Sequence, residues 1–298
     1  MLDYFNRLKW IIPKSIRSKI ITETLKNKIH ARTLAVSSKR LDICAAELAS
    51  FFHQSGITGI KGKTCLELGS GWILSHAAIC YLLGAKKIIA TDIEPLFYPT
   101  SLYNAIHKAV PYIVRDVLSP FCEFSEIRER LDKLMSIKSF NINILKDIGI
   151  EYIAPIDLAK QRMNAPVDFI YSIGVLSLVP INAIFPLLNN LADILSPGGI
   201  MIHSIHLEDS ENCNSNPFAF YSEPANLYTA EILSRRGNRL RRSSWYKLFS
   251  QLPQLDFRFF YERNRIDKPI PKVIDPSITY VDEKDLRVSH LGVYAIKK

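Results

Sequence analysis

Short apolar runs alternate with longer amphipathic stretches along most of the chain, and this alternation predicts a sheet flanked by helices. The short runs predict strands at residues 64–68, 87–91, 151–156, 167–172, 200–205, 255–261 and 290–296. Apolar residues at helical spacing predict helices at 41–52, between Gly71 and Gly84, at 181–195 and at 243–252. No crossover helix separates the last two strands, so we expect them to pair antiparallel.

Three parts of the chain depart from simple alternation. Residues 1–60 predict a basic helical N-terminal segment ahead of a main domain at 61–298. Apolar patterns after the second strand predict a helical insertion over 96–150, with helices at 117–124, 127–134 and 142–148. The polar stretch 207–242 is predicted to form a lid segment on the substrate side.

The expected fold class is α/β. The pattern predicts a doubly wound, Rossmann-like, seven-stranded sheet with an antiparallel last strand. An N-terminal helical segment and a helical insertion after strand two complete the expected architecture. With 298 residues, 48% of them hydrophobic, the chain is large enough for a substantial core, and no apolar run is long enough to span a bilayer.

The net charge of +9 is concentrated at one end of the chain. Residues 1–40 carry +8, from ten Lys and Arg against two acidic residues, so the rest of the chain is nearly neutral and nucleic-acid binding is disfavoured. In residues 1–28, Trp10 and several isoleucines interleave with basic residues, which is compatible with peripheral membrane contact. A helix packed on the domain with a solvated basic face explains the same pattern and carries more weight.

The cysteines indicate a reducing compartment. All five are scattered, without a CxxC pair, so the sequence predicts a cytoplasmic protein with neither a disulfide framework nor a metal site. The N-terminus shows no secretory signal pattern.

A glycine turn follows the first predicted strand, in the sequence Leu-Glu-Leu-Gly-Ser-Gly at 66–71. Glycines let a backbone approach a ligand closely, and Asp92, at the end of the second strand, is placed to accept hydrogen bonds from ribose hydroxyls. Glu67 adds a carboxylate two residues before the first glycine, which a pyrophosphate would repel and an amino-acid ammonium group would attract. The motif therefore indicates S-adenosylmethionine before NAD.

Taken together, several segments resemble the class I S-adenosylmethionine-dependent methyltransferases over about residues 60–206 and the last two strands. The matching segments are 66–71, 90–94, 155–158, 167–172 with 175–176, and 195–199. A softer resemblance, to uncharacterised bacterial methyltransferase-like proteins, rests on segments 150–157 and 238–241 and supplies no substrate.

The resemblance implies a cofactor role for each residue of the first two motifs. Glu67 would orient the methionine ammonium group of S-adenosylmethionine. Gly69 and Gly71 would let the backbone pass the methionine and the ribose. Asp92 would bind the ribose hydroxyls, and Ile93 beside it is included among the cofactor-binding residues.

Two further cofactor contacts are implied by the later segments. Asp157, just past strand three, would bind the adenine amino group, with a helix N-cap as the alternative. Ser172, at the end of strand four, would line the methionine and substrate side. Leu74 occupies the position of a third loop glycine, a departure that weakens a dehydrogenase interpretation more than this one.

An oxygen acceptor needs a base, and two histidines on strand five are the candidates. His203 and His206 are three residues apart, so they should face opposite sides of the sheet. His206 lies nearer the carboxyl end, where the acceptor is expected, and imidazole suits proton transfer near neutrality. A structural histidine carries at least equal weight, and Glu208 and Asp209 are the next candidates.

Arg239 and Arg241 form part of a second basic cluster near the C-terminus. Arginine forks bind carboxylates and phosphates in two places at once, so both residues are candidates for an anion clamp over the substrate. A solvated charge run explains the cluster equally well.

These observations predict an S-adenosylmethionine-dependent methyltransferase that acts at oxygen on a small molecule or an anionic glycoconjugate. A nucleic-acid methyltransferase ranks second, because Ser-Ile-Gly-Val at 172–175 replaces the Asn/Asp-Pro-Pro-Tyr sequence typical of base N-methylation. An NAD-linked oxidoreductase and a non-catalytic binding module remain as alternatives, since a fold does not prove an activity.

Overall fold

The computed structural model describes residues 40–298, which form a central sheet with helices on both faces. The strands are β1 Thr64–Leu68, β2 Lys87–Thr91, β3 Ile150–Ile153, β4 Val167–Ile173, β5 Leu195–His206, β6 Leu255–Asn264 and β7 Val288–Lys297. The helices are α1 Arg40–Ser55, α2 Ser75–Leu82, α3 Pro99–His107, α4 Pro111–Leu118, α5 Phe124–Ser136, α6 Ile142–Asp147, α7 Ile181–Ile194, α8 Ala230–Arg236, α9 Arg242–Ser250 and α10 Glu283–Arg287. The predicted helical structure of residues 1–28, and the prediction that they contact a membrane, concern residues outside this described range.

The seven strands lie in the order β3-β2-β1-β4-β5-β7-β6. Strands β1 to β5 pair in parallel, and β7 runs antiparallel to both β5 and β6. This arrangement confirms the expected doubly wound sheet and its antiparallel last strand. The direction of winding reverses between β1 and β4, so a crevice is expected at their carboxyl ends.

Two hydrophobic cores cover the two faces of the sheet. On one face, α1 to α6 pack against the strands, with Phe52 of α1 edge-to-face on Phe169 of β4 at a centroid distance of 5.6 Å. On the other face, α7 and α9 cover β4, β5 and β7. Because both faces are covered, the central strands are apolar almost throughout, as in Cys65, Leu66 and Leu68 of β1.

The structure differs from the predicted elements at several boundaries. Helix α4 begins at Pro111 instead of residue 117, because proline fits the first helical position, where its missing N–H is not needed. Strand β5 begins at Leu195, which pairs with Val167 across an irregular register. The helices α3, α8 and α10 were not predicted: α3 lies inside the predicted helical insertion, and α8 and α10 have only seven and five residues. Within the described residues, no helix is long and apolar enough to cross a membrane.

Candidate functional site

The glycine turn after β1 lies at the crevice between β1 and β4. The backbone N–H groups of Gly69 and Ser70 both donate to the carbonyl oxygen of Thr91, each at 2.9 Å. Gly69 has φ +73°, and a Cβ atom there would lie 2.5 Å from Cγ2 of Val175, in the loop after β4. Gly71 has φ +64°, but a Cβ atom there would meet nothing within 4 Å. The turn therefore packs closely against the loop after β4 at Gly69 and borders open space at Gly71.

Asp92 connects the turn to the end of β2. Its buried carboxylate accepts hydrogen bonds from the N–H of Gly71 on Oδ2 at 2.8 Å and from the N–H of Glu94 on Oδ1 at 3.1 Å. Each carboxylate oxygen has two lone pairs, so capacity for ribose hydroxyls remains. Ile93, directly beside Asp92, is 65% exposed and offers an apolar surface at the same edge.

Glu67 is buried on β1, on the face covered by α1 and α2. Burial raises the pKa of Glu67 to about 6, although the nearby charge of His76 works against this shift. Its Oε1 lies 3.7 Å from Nδ1 of His76, and its Oε2 has no hydrogen-bond partner among the described residues. A buried carboxylate oxygen without a donor is costly. A cationic donor such as an ammonium group therefore fits this position.

His76, near the start of α2, joins Glu67 to α1. Its Nε2 lies 3.2 Å from Oε2 of Glu47. Burial alone would lower the pKa of His76, but contacts with Cys44, Glu47 and Glu67 outweigh it and raise the pKa to about 10. The sequence analysis missed this network because the residues lie on separate elements and meet only through the packing of α1 on α2.

Asp157 and Ser172 each have hydrogen-bond partners within the protein. Asp157 accepts a hydrogen bond on Oδ1 from the N–H of Ala159 at 3.0 Å, and its Oδ2 lies 3.0 Å from Nζ of Lys160. These local contacts match the alternative role of Asp157 as a helix N-cap. Ser172 is buried, with its Oγ 2.8 Å from Nδ1 of His203.

The strand register explains where Ser172 points. Glu67 pairs with Tyr171 across β1 and β4, so the next residue, Ser172, faces the opposite side of the sheet. There His203 contacts Phe249 of α9, at a ring distance of 6.2 Å. The structure therefore brings Glu67, Gly69, Gly71 and Asp92 to one edge, called here the cofactor side, and directs the Ser172 side chain to the other face of the sheet.

His206 ends β5 on the face opposite to His203, as the sequence predicted. Its ring lies 4.6 Å, centre to centre, from that of His290 on β7. Burial lowers the pKa of His206, and burial together with nearby positive charge lowers that of His290 to about 4. Both shifts favour the neutral imidazole, which has a ring nitrogen free to accept a proton, and both make it a weaker base.

Two polar residues on the same face extend this group. Tyr261 of β6 places its hydroxyl 2.7 Å from Oγ of Ser204 on β5, and its ring stacks on Phe51 of α1 at 5.6 Å. Side chains from β5, β6 and β7 thus form a second cluster, Ser204, His206, Tyr261 and His290, called here the acceptor side. Of these four, the sequence analysis singled out His206 alone, since the others converge only through antiparallel pairing.

The anion-clamp interpretation of Arg239 and Arg241 is not supported by the structure. The Arg241 guanidinium is 1% exposed and donates to the Tyr221 hydroxyl and to the carbonyl oxygens of Leu207 and Arg239. Arg239 is also buried, and its donors are directed to the carbonyl oxygens of residues 220 and 223 and to Ser277 Oγ. Both guanidiniums are thus occupied by acceptors inside the protein.

Asn238, in the same segment, ties this region to the loop after β4. Its side-chain amide donates to the carbonyl oxygens of Leu176 at 2.9 Å and Val179 at 3.1 Å. Its backbone N–H donates to the carbonyl oxygen of Ser177 at 2.6 Å. The predicted lid segment is therefore pinned beside the carboxyl edge by buried hydrogen bonds.

The two other candidate general bases, Glu208 and Asp209, are also held in ion pairs. Oε1 of Glu208 lies 3.1 Å from Nη1 of Arg265, and Oδ2 of Asp209 lies 2.6 Å from Nη2 of Arg236. Both carboxylates are buried. These contacts favour structural roles over proton transfer.

No protein-family model matches the chain, and no curated protein matches it. Among solved structures, it is similar to an S-adenosylmethionine-dependent methyltransferase from Mesorhizobium loti, with 16% identity over 85% of this chain and 98% of that chain and a TM-score of 0.45. It is also similar to magnesium protoporphyrin IX methyltransferase from Synechocystis PCC 6803, with 10% identity over 99% of this chain and 94% of that chain and a TM-score of 0.45.

A third similar structure is human N-acetylserotonin methyltransferase, with 16% identity over 79% of this chain and a TM-score of 0.39; the chain spans 47% of that protein. Identities and TM-scores this low carry no argument about substrate, so the assignment of fold rests on the sheet itself. The strand order β3-β2-β1-β4-β5-β7-β6, with β7 antiparallel to its neighbours, gives this chain the fold of the class I S-adenosylmethionine-dependent methyltransferases.

Proposed function

We propose that this protein is an S-adenosylmethionine-dependent methyltransferase that acts at oxygen on a small molecule or glycoconjugate. The observation that carries the proposal is the unpartnered Oε2 of buried Glu67, on the strand that leads into the glycine turn held by Asp92. A buried negative charge at that point suits an amino-acid ammonium group and would repel the pyrophosphate of NAD.

The cofactor side offers a group for each part of S-adenosylmethionine. Glu67 would hold the ammonium group, and Asp92 would accept hydrogen bonds from the ribose hydroxyls. Gly71 leaves the backbone open where the methionine and ribose pass, and exposed Ile93 offers an apolar surface for the adenine. Bound S-adenosylmethionine supplies an activated methyl group, so the protein mainly aligns donor and acceptor and excludes water.

The acceptor side supports a hydroxyl as the methyl acceptor. A hydroxyl must lose its proton as the new bond to carbon forms, and His206, whose burial favours the neutral imidazole, lies at the carboxyl end of β5. We assign the proton to an imidazole nitrogen of His206, with His290 at 4.6 Å as its neighbour. Because the guanidiniums of Arg239 and Arg241 face inward, they give no support for an anionic substrate.

The proposal extends to the compartment, the division of the chain and its partners. The five free cysteines suit a reducing compartment, and we place the enzyme in the cytoplasm on that basis. Three further features are predictions from sequence: the division of the chain at residue 60, the lid role of residues 207–242, and membrane contact through residues 1–28. A nucleic-acid substrate is not favoured, because the basic charge is concentrated in residues 1–40.

Calorimetric titration with S-adenosylmethionine, S-adenosylhomocysteine and NAD tests the cofactor. We expect the first two to bind and Asp92→Asn to weaken both by at least about a hundredfold, because charge-assisted hydrogen bonds to a buried carboxylate are lost. Asp168→Asn is the matched control, since that carboxylate binds the N–H of Thr64 at the amino end of the strands and should leave affinity unchanged. Binding of NAD alone would overturn the proposal.

Methyl transfer is tested by measuring S-adenosylhomocysteine release with pooled hydroxylated metabolites. We expect His206→Asn to keep its affinity for S-adenosylmethionine and to lower the rate by about 10²- to 10⁴-fold. His53→Asn, on the exposed surface of α1, is the control. An unchanged rate in His206→Asn would remove His206 from the mechanism.

A further inference from the structure

A buried cluster of three potential metal ligands lies between α1 and α2. Cys44 and Glu47 are three residues apart on α1 and therefore share one face of the helix. His76 of α2 meets them, and one ligand atom from each residue lies within 4.8 Å of the other two. Cys44 and His76 are buried, whereas Glu47 is half-buried. The sequence held no metal signature, because the histidine is contributed by a different helix.

The geometry around His76 adds a second feature of metal sites. Its Nε2 lies 3.2 Å from Oε2 of Glu47, which is the separation of two atoms that share one ion. Its other ring nitrogen, Nδ1, lies 3.7 Å from Oε1 of Glu67. Histidines that bind a metal commonly direct the second nitrogen to a carboxylate, which fixes the ring orientation. Glu67 occupies that position.

The chemistry of the three donors selects the ion. A thiolate favours zinc over magnesium or calcium, and a Cys, Glu and His set matches the sulfur, oxygen and nitrogen ligands that zinc accepts. Three protein ligands leave one position of a tetrahedral ion open, as in catalytic zinc sites. From this geometry we propose that Cys44, Glu47 and His76 bind a zinc ion, with Glu67 supporting His76 from outside the coordination shell.

The site borders both sides of the proposed active centre. Glu67, next to His76, belongs to the cofactor side. Helix α1, which carries Cys44 and Glu47, also packs Phe51 on Tyr261 of the acceptor side, with ring centroids 5.6 Å apart. An ion held by Glu47 would therefore lie next to the acceptor side, with its open position available to a sulfur, nitrogen or oxygen atom of a ligand.

Cobalt(II) is the probe for this site, because it replaces zinc and its spectrum reports the ligands. Full-length protein titrated with Co²⁺ should bind one equivalent and develop a thiolate-to-cobalt charge-transfer band together with intense visible bands of four-coordinate cobalt. Zinc should then displace the cobalt and abolish both sets of bands. Cys44→Ser should lose the charge-transfer band, and His76→Gln should lose stoichiometric binding.

Cys122→Ser is the matched control. Cys122 also lies beside a glutamate, with its Sγ 3.8 Å from Oε2 of Glu126, but the described contacts of that pair include no histidine. This variant should keep the complete cobalt spectrum. Glu67→Gln should keep the spectrum and weaken binding by about tenfold, as expected for an outer carboxylate.

Folding of each variant is checked by far-ultraviolet circular dichroism. If Cys44→Ser does not fold, Glu47→Gln tests the same site from its half-buried ligand and should weaken cobalt binding. Absence of one-equivalent binding, absence of a charge-transfer band, or an unchanged spectrum in the folded ligand variants would each overturn the proposal. No readout involves S-adenosylmethionine, so failure here is distinct from failure of the proposed methyltransferase activity.

Discussion

The cofactor side and the acceptor side occupy the same edge of the sheet but are built differently. The cofactor side consists of a backbone turn and two carboxylates that lie within 26 residues of one another, from Glu67 to Asp92. The acceptor side is assembled from single side chains of β5, β6 and β7, and its members Ser204 and His290 are 86 positions apart in the sequence. One side is a local motif, whereas the other is a product of tertiary packing.

This difference separates chemistry that many nucleoside-binding proteins share from chemistry that is particular to this chain. A nucleoside cofactor is recognised through backbone geometry and a ribose-binding acid, which a short βαβ unit supplies. In the proposed function, the acceptor would be recognised by the side chains of β5, β6 and β7 that converge at this edge. Substitutions in the glycine turn should therefore reduce both stability and cofactor binding, whereas substitutions of the buried side chains in residues 207–242 should reduce stability and leave cofactor affinity unchanged.

The largest expected effect comes from Gly69→Ala. A Cβ atom at Gly69 would lie 2.5 Å from Cγ2 of Val175 and would also strain a residue with φ +73°, so we expect a loss of roughly 3 to 4 kcal/mol of unfolding free energy and no measurable cofactor binding. Gly71→Ala meets no atom within 4 Å, so it should cost about 1 kcal/mol from backbone strain alone. Urea denaturation and calorimetry measure both effects.

Val175→Ala provides the control for this pair. It removes the two methyl groups that a Cβ atom at Gly69 would strike. Combined with Gly69→Ala, it should recover the steric part of the loss and leave about the cost seen in Gly71→Ala. Equal destabilisation by Gly69→Ala and Gly71→Ala would show that the turn does not pack closely against the loop after β4.

Arg241→Ala should produce the next largest effect. It leaves a cavity and removes the donors that serve the Tyr221 hydroxyl and the carbonyl oxygen of Leu207, so we expect a loss of about 3 kcal/mol in urea denaturation. Affinity for S-adenosylmethionine, measured in folded protein, should not change. Arg162→Ala, from an exposed ion pair with Asp193, should cost less than about 0.5 kcal/mol. A similarly small loss for Arg241→Ala would restore the anion-clamp hypothesis.

The smallest expected effect is a pH dependence of cofactor affinity. Burial raises the pKa of Glu67 to about 6, so the carboxylate is ionised above that pH and protonated below it. Only the ionised form attracts an ammonium group. Calorimetric affinity should therefore be constant between about pH 7 and 8 and should fall below about pH 6, by up to about tenfold per pH unit.

Glu67→Gln sets the baseline for that profile. This variant has no ionisable group at position 67, so its affinity should be weaker and nearly independent of pH over the same interval. A parallel decline in wild type and variant would assign the pH dependence to another group.

Local patterns predicted the part of the fold that surrounds the cofactor side. The limits of β1 and β2 agree with the apolar runs at 64–68 and 87–91, because both strands are buried on both faces and end at clear turn signals. The antiparallel pairing of β7 also followed from the sequence, since no crossover helix is predicted between the last two strands, and the five-residue α10 found there is too short to be one. The turn and Asp92 meet because adjacent parallel strands end at the same edge.

Burial of polar groups was the part that could not be predicted. Arg241 lies in a basic sequence that indicates a solvated face, yet its guanidinium is enclosed by carbonyl oxygens from distant segments. His76 shows no local pattern, because Glu47 reaches it from another helix. In both cases the partners are backbone or side-chain atoms whose positions depend on the complete fold.

The hydrogen bonds from Asn238 to the loop after β4 have a consequence for protein engineering. The amide recognises the carbonyl oxygens of Leu176 and Val179, and the backbone of Asn238 binds that of Ser177. Residues 207–242 and residues 176–179 therefore form one exchangeable module. A chimaera that transplants the first segment from another protein of this fold must carry the second with it, or the graft will leave unpaired carbonyl groups beside the carboxyl edge of the sheet.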